Sequence, residues 1–162
     1  MALRTIRTFT DPLLRKKSKR VKAFDDKLHI LLDDMLDTLR SVNGLGLAAP
    51  QVGVLKQVII IEIEDQLIEL INPEIIETDG IQTRSEACLS VPFKNGLVER
   101  PAYVKIKAQD RNGEEITAEG IELLAVAFCH ELDHLNGVLY IDRASEIFDA
   151  VNEPEEEAES AK

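Results

Sequence analysis

The chain is poor in histidine, cysteine and tryptophan. Its 162 residues include three histidines, two cysteines and no tryptophan. Two cysteines are too few for a disulfide framework and indicate a reducing compartment. No apolar run approaches the roughly 20 residues that a membrane-spanning helix needs, and the N-terminus has no signal-peptide core. We therefore expect a cytoplasmic protein that does not bind membranes.

Two of the three histidines stand in one motif, His130-Glu131-Leu132-Asp133-His134. Residues four apart lie on one face of a helix, so the two imidazoles can bind the same metal ion. Glu131 can then accept a proton from a water whose pKa the ion lowers toward neutrality. Residues 122–129 are apolar nearly all round, which indicates a buried helix where unpaired polar groups are costly. The motif predicts a hydrolase of amide-type bonds.

The third metal ligand separates the possible enzyme classes. One protease group continues the motif to H-E-x-x-H-x-x-G-x-x-H, but here Tyr140 stands where the third histidine belongs. Another group uses a downstream glutamate. Glu153 is the candidate by position, but it lies in an acidic segment that is too poor in apolar residues to hold a ligand rigidly. The third ligand is therefore expected upstream of the motif.

Cys88 is the upstream candidate. A thiolate from Cys88 and two imidazoles, with a water in the fourth position, make a plausible catalytic metal site. The second cysteine, Cys129, is next to His130 and therefore about 100° from it round the helix. We expect Cys129 to face away from the metal and to behave as a small buried apolar residue.

Charge is unevenly distributed along the chain. The net charge of −11 argues against general affinity for nucleic acid, and no DNA partner is expected. Residues 1–22 hold eight Lys/Arg and one acid, whereas residues 151–162 hold five glutamates and one lysine. We interpret the basic segment as a solvated face, with contact to ribosomal RNA as the alternative. The acidic segment predicts a disordered tail after a single catalytic domain of residues 1–150.

The hydrophobic pattern predicts an α+β fold. Helical spacing indicates helices over residues 24–41 and 121–135. Strands are expected over residues 57–63 and 66–76, and a hairpin over residues 103–109 and 114–119. The expected architecture is a set of antiparallel β-sheets packed around a central metal-binding α-helix.

Three motifs in order resemble a known family. They are G-x-G-L-A-A-P-Q at 44–51, E-x-C-L-S at 86–90 and H-E-x-D-H at 130–134. The first is not a phosphate loop, because it lacks the G-K-[ST] ending. Together they resemble the signature motifs of bacterial peptide deformylase, the polypeptide deformylase family. The similarity runs from residues 10–21 to residues 138–143, which is most of the chain.

The resemblance implies removal of the N-formyl group from the initiator N-formylmethionine of nascent polypeptides, with release of formate. It implies three metal ligands, Cys88, His130 and His134. Glu131 is implied as the general acid and base, and Gln51 and the backbone N–H of Leu89 as donors to the oxyanion.

The same resemblance suggests how substrate binds. The backbone around Gly46 and the strand Glu86–Leu89 could hold the peptide in an extended pose. The methionine side chain would enter an apolar pocket, for which the candidates are Leu45, Leu123, Val126 and Ala127.

One divalent metal ion per chain is expected. The resemblance points to Fe2+ in the cell, and Zn2+, Ni2+ or Co2+ can substitute. The expected partners are N-formylmethionyl nascent peptides, with the ribosome as a candidate and a monomer as the expected state. Two alternatives stay open: an HExxH-type zinc metallopeptidase, and a non-catalytic metal-binding domain. Intact Glu131 and Gln51 argue against the second alternative.

Two residues depart from the family pattern. Ala87 stands where the family motif has glycine, and a positive φ at this position would cost alanine about 1 kcal/mol or more. Cys129 stands where glutamine is expected before the first histidine, outside the proposed ligand set.

The different roles assigned to the two cysteines can be tested by alanine substitution. Cys88→Ala should sharply lower metal affinity and abolish activity, because it removes a ligand. Cys129→Ala, the matched control, should change both quantities little. Metal titration and an activity assay of the two variants measure this, and greater damage from Cys129→Ala would show that the cysteines had been assigned the wrong way round.

Overall fold

The structure, a computed structural model, describes residues 2–150. In this range the helices are α1 (Asp26–Ser41), α2 (Glu122–Leu135) and α3 (Tyr140–Arg143). The strands are β1 (Gly46–Ala48), β2 (Val58–Ile63), β3 (Gln66–Asp79), β4 (Gln82–Cys88), β5 (Val91–Arg100), β6 (Tyr103–Gln109), β7 (Glu115–Ile121) and β8 (Glu146–Asp149). The predicted disordered tail, residues 151–162, lies outside the described residues.

The strands form two antiparallel sheets. A five-stranded sheet has the order β1-β2-β3-β6-β7, and a three-stranded sheet has the order β4-β5-β8. Strand β1 is thus at one edge of the first sheet and β4 at one edge of the second. Helix α2 contacts strands of both sheets. The predicted α+β class, with antiparallel sheets around a central helix, is confirmed.

Strand β2 is buried on both faces and joins two hydrophobic cores. Because side chains alternate along a strand, Val58 and Ile60 pack in the cluster that contains the apolar face of α1. Ile59 and Ile61 point the other way, into the cluster that contains α2. The five-stranded sheet is therefore covered by α1 on one face and by α2 on the other.

Helix α1 begins and ends at residues that the sequence marks. The side chain of Asp25 accepts a hydrogen bond from the backbone N–H of Leu28, so the helix starts at Asp26 and not at residue 24 as predicted. Asn43 adopts a left-handed φ of 54° just beyond the C-terminus, which is the stop predicted near this position.

The other predicted elements are present with small shifts. Helix α2 and the β6–β7 hairpin occur where expected, and Gly113 supplies the positive φ of the hairpin turn. Strand β3 continues three residues past the predicted end at residue 76, through two register shifts. Strands β1, β5 and β8 were not predicted. None of the helices within residues 2–150 combines the length and apolarity needed to cross a membrane.

Candidate metal centre

Helix α2 and the end of strand β4 bring three metal-binding side chains together. His130 and His134 are one helical turn apart on α2, and Cys88 is the last residue of β4. The ligand atoms of the three residues lie within 4.8 Å of one another. The Cys88 sulfur is 3.3 Å from Nε2 of His134. These separations suit one ion, because metal–sulfur and metal–nitrogen bonds are about 2.0–2.3 Å long.

A buried carboxylate orients the first histidine. Nδ1 of His130 lies 2.9 Å from a carboxylate oxygen of Glu86, which leaves Nε2 to face the metal position. Arg100 donates two hydrogen bonds to the same carboxylate, at 2.8 and 3.0 Å. Burial alone raises the pKa of Glu86, but the Arg100 and His130 contacts outweigh it and lower the pKa overall. Glu86 therefore stays ionised and fixes the imidazole.

The ion-pair network continues to the surface on the side of α2 away from the metal position. Arg100 also donates to Asp133 at 2.7 Å, and Arg143 donates twice to the same carboxylate, at 2.7 and 3.0 Å. Asp133 lies between the two metal-binding histidines in sequence. The network thus ties the metal helix to β5 and to the end of α3.

Glu131 is a buried carboxylate placed beside the ligands. It is 5% exposed, and its Oε1 has no hydrogen-bond partner among the described residues. Burial raises the pKa of Glu131 to about 7. A Cβ added at Gly46 would lie 2.9 Å from Oε2 of Glu131, so any other residue there would shift the carboxylate from its present position. The unpartnered oxygen is available to a water held beside a metal ion.

The side chain of Gln51 is held on both sides. Its Oε1 accepts from the backbone N–H of Ala48 at 3.0 Å. Its Nε2 donates to Ser90 at 3.1 Å and lies 3.7 Å from the Cys88 sulfur. The amide nitrogen therefore faces the metal position. Leu89, the other candidate oxyanion donor, lies in the turn between β4 and β5 directly after Cys88.

The second histidine is suited to bind a cation. Burial and the neighbouring His130 lower the pKa of His134 well below its ordinary value, so its imidazole is neutral as a ligand must be. Its Nδ1 has no hydrogen-bond partner among residues 2–150. Together with one thiolate and the oriented His130, this donor set fits a divalent transition-metal ion.

Two of the three ligands, Cys88 and His130, line a cavity of about 420 Å³. Its lining also includes the segment 43–46 at the start of β1 and the segment 85–89 at the end of β4. Residues of helix α2 between Leu123 and Glu131 contribute the part of the lining that we call the floor. Within residues 2–150, an edge strand of each sheet thus contributes to the cavity that holds the metal position.

Every site residue predicted from the sequence except His134 lines this cavity. The predicted residues in its lining are Leu45, Gly46, Gln51, Glu86, Cys88, Leu89, Leu123, Val126, Ala127, His130 and Glu131. His134 joins them through the ligand group. Glu86 takes part in the wall, while its carboxylate is directed to His130 and Arg100.

The two departures from the family pattern have little effect on the geometry. Ala87 is exposed and does not adopt a positive φ, so the strain considered for alanine does not arise. Cys129 is 7% exposed in the second hydrophobic cluster. Its pKa is raised to about 11 by burial, so the thiol is protonated.

Three residues with clear structural roles were not predicted. Ser90 positions Gln51, Arg100 neutralises Glu86, and Asp133 links α2 to Arg100 and Arg143. Ser90 and Asp133 stand inside the motifs at 86–90 and 130–134, and this position could have indicated a structural role for them. Arg100 has no such signal, because a buried arginine can be inferred only from its distant partners.

A buried H-E-x-x-H helix, an upstream cysteine ligand and a carboxylate beside them define a metal-dependent hydrolase of amide-type bonds. The polypeptide deformylase family matches residues 3–149. The chain belongs to this family.

Similar proteins span nearly the same length. A peptide deformylase of Alkaliphilus metalliredigens is 55% identical over 143 residues, covering 88% of this chain and 97% of that protein. One from Caldicellulosiruptor bescii is 57% identical, covering 88% of this chain and 86% of that protein. A crystal structure of the Legionella pneumophila peptide deformylase has a TM-score of 0.87 at 41% identity, covering 89% of this chain and 87% of that one.

Family membership establishes the reaction. The chain is a hydrolase that removes the N-formyl group from nascent peptides, and it uses a divalent metal ion. The endopeptidase and non-catalytic alternatives are set aside by this assignment.

The Glu86–His130 contact predicts a loss of metal affinity without loss of the fold. Glu86→Gln keeps the size of the side chain but removes the charge that orients His130 and strengthens it as a ligand. We expect metal affinity to fall by about 10- to 100-fold, measured by competition with a chelator.

The matched control is Glu99→Gln, which makes the same chemical change at an exposed position of β5. It should leave metal affinity unchanged, and circular dichroism should show both variants folded. Wild-type metal affinity in folded Glu86→Gln would contradict the orienting role.

Proposed function

We propose that Cys88, His130 and His134 hold the divalent ion and that Glu131 transfers the proton during hydrolysis of the formyl group. One observation carries this proposal. The three ligand atoms converge within 4.8 Å beside a buried carboxylate whose Oε1 has no partner among residues 2–150. When bound, the ion supplies a water of lowered pKa and an electrophile for the formyl oxygen.

The surrounding residues transfer the proton and stabilise the developing negative charge. Glu131 accepts the proton of the attacking water and returns it to the departing amine. The pKa of about 7 suits a group that must both accept and donate a proton near neutrality. Gln51 Nε2 and the N–H of Leu89 donate to the formyl oxygen as negative charge develops on it. Ser90 and Ala48 hold the Gln51 amide in place, so little reorganisation is needed.

The peptide lies extended between the two sheet edges. Among residues 2–150, strand β1 pairs only with β2, and β4 only with β5, so each has a free edge in this part of the chain. An inserted peptide would pair with Gly46 on one side and with the Glu86–Leu89 segment on the other, as an added strand. Backbone hydrogen bonds of this kind do not depend on side chains, which suits an enzyme that must accept many nascent sequences.

The methionine side chain enters the apolar part of the cavity. Val126 and Ala127 are buried on α2, and Leu45 and Leu123 are 45% and 41% exposed at the opening. A linear aliphatic side chain can cover this surface and leave the formyl group at the ligands.

Fe2+ is the proposed metal in the cell. Affinity order alone favours Zn2+, but the resemblance to the family favours Fe2+, which Cys88, His130 and His134 would hold and which would polarise the formyl oxygen. A thiolate beside ferrous iron is also sensitive to oxidation.

This choice of metal predicts oxygen sensitivity. Protein prepared without air should contain iron, be active, and lose activity on exposure to air. The Ni2+ and Co2+ forms should stay active in air. Metal analysis and activity before and after exposure measure this. Equal activity and equal air stability of the Fe2+ and Zn2+ forms would leave zinc as the simpler native metal.

The direct test of the proposed reaction is formate release. Metal-loaded protein should produce formate from formyl-methionyl-alanine and should not cleave the unformylated peptide bond. Cleavage of an unformylated internal bond without formate would contradict the proposal.

The proton-transfer role of Glu131 is tested by separating metal binding from turnover. Glu131→Ala should keep metal content near wild type, since the carboxylate is not a ligand, while the rate falls by about two orders of magnitude or more. Metal analysis and the formate assay give the two quantities. If Glu131→Ala loses its metal, the role is structural.

The ribosome is the proposed partner that presents the substrate, and the basic N-terminal segment is the proposed contact. Lys16, Lys17, Lys19 and Lys22 are exposed, and within residues 2–150 none has an acidic partner within 4 Å. This segment crosses the C-terminal end of α2, where Ser18 N–H donates to Leu135. Leu123, at the cavity opening, is 12 residues away, about 18 Å along the helix. RNA bound there would leave the cavity free.

Replacing those four lysines with glutamine should weaken co-sedimentation with ribosomes and reduce its salt dependence. The control changes the same number of charges elsewhere, at Lys27, Lys94, Lys105 and Lys107. Equal binding by both variants would exclude this contact.

The remaining proposals concern the oligomeric state, the cellular compartment and the extent of the catalytic domain. We propose a monomeric cytoplasmic enzyme whose catalytic domain is residues 1–150, because its substrate is a nascent chain and its cavity is built by one chain. Light scattering of the purified protein would reveal a dimer if the monomer proposal is wrong.

A further inference from the structure

Phe93 is an exposed aromatic residue with an unusual backbone at the rim of the cavity. Its side chain is 77% exposed, and its φ is +66°. Within residues 2–150 it is the only apolar non-glycine residue with positive φ. A bulky residue is unfavourable in this conformation, and an exposed ring gains little from burial. Both the backbone conformation and the exposed ring of Phe93 therefore lower the stability of the folded protein. Residues held in unfavourable backbone conformations often lie at ligand-binding sites.

The backbone at Phe93 is fixed by β8 and by the segment after it. The N–H of Ala150 donates to the Phe93 carbonyl at 3.1 Å, and Lys94 pairs in register with Asp149. Lys94 also forms a salt bridge with Asp149. The ring is thus presented by an anchored strand, and the adjacent cation is neutralised. The exposed ring is thus an apolar surface at this part of the rim, beside the Lys94–Asp149 ion pair.

Phe93 lines the same cavity as the metal ligands and the two leucines at its opening, Leu45 and Leu123. An extended peptide advances about 3.3 Å per residue. In the proposed peptide path, with the formyl group at the ligands and methionine over the floor, the following residues would leave along the part of the cavity that Phe93 lines. Their side chains come within reach of the Phe93 ring.

We propose that Phe93 is a specificity-determining residue that contacts the side chain of one of the two residues after formyl-methionine and favours aromatic or large aliphatic residues there. This inference rests on the proposed peptide path. The ring offers a flat apolar face to a passing side chain, while the backbone pairing of the peptide is unaffected. The expected preference is modest, about 2- to 10-fold in kcat/KM, as for a single aromatic contact near solvent.

The test compares kcat/KM for formyl-Met-Xaa-Ala and formyl-Met-Ala-Xaa, where Xaa is Phe, Leu, Ala or Glu. Wild type should prefer Phe and Leu over Ala in one series. Phe93→Ala should lose that preference and keep its rate on the Xaa = Ala peptides within about twofold. Phe93→Tyr, which retains the ring, should keep the preference.

Two outcomes would overturn the proposal. One is an unchanged preference in Phe93→Ala, and the other is an equal loss of rate on every peptide, which would indicate a structural role. Thermal melting of each variant identifies a folding defect directly. A failure of the proposed function is distinct, because it would abolish formate release from the Xaa = Ala peptides in wild type as well.

Discussion

The fold depends on interactions that stabilise the ionisable side chains of the buried helix α2. Helix α2 carries His130 and Glu131 in the interior, where an unpaired charge is very unfavourable. For His130, the Glu86 carboxylate supplies the partner: it bonds to His130 and also to Arg100. Because Glu86 is on β4 and Arg100 on β5, this contact also fixes the three-stranded sheet to the metal helix. The position of Cys88, two residues after Glu86, follows from the same anchor.

The cavity follows from the two sheets being held by one helix. Free strand edges are usually protected, because they can pair with other chains. Among residues 2–150, β1 and β4 are edge strands that pair with β2 and β5 alone, and residues of both line the cavity beside α2. Gly46 brings the β1 edge against Glu131, where any Cβ would displace the carboxylate. In the proposed binding mode, a single extended peptide pairs with these edges inside the cavity, where other chains have less access to them.

Sequence reasoning succeeded where a residue's role depends on local spacing. The i, i+4 histidines and the apolar pattern located α1, α2 and the β6–β7 hairpin, because helix and turn signals lie within a few residues. It missed β1, β5 and β8. Strand β5 contains Pro92 and Gly96, which interrupt the strand pattern, and its pairing with β8 joins residues far apart in sequence. Arg100 was missed for the same reason, since its partners are 14 and 33 residues away.

The departures from the family pattern show what a motif can and cannot establish. A glycine in a motif can reflect backbone conformation, close approach or neither, and the φ angle together with the space available for a Cβ distinguishes these. At Gly46 the reason is close approach, whereas at residue 87 the backbone accepts alanine without a positive φ. Cys129 shows that a position next to a metal ligand in the sequence does not establish a chemical role. One position from a metal ligand, it lies among apolar side chains, and burial raises its pKa to about 11. Its position on the helix keeps it out of the group of ligand atoms that converge, which is formed by Cys88, His130 and His134.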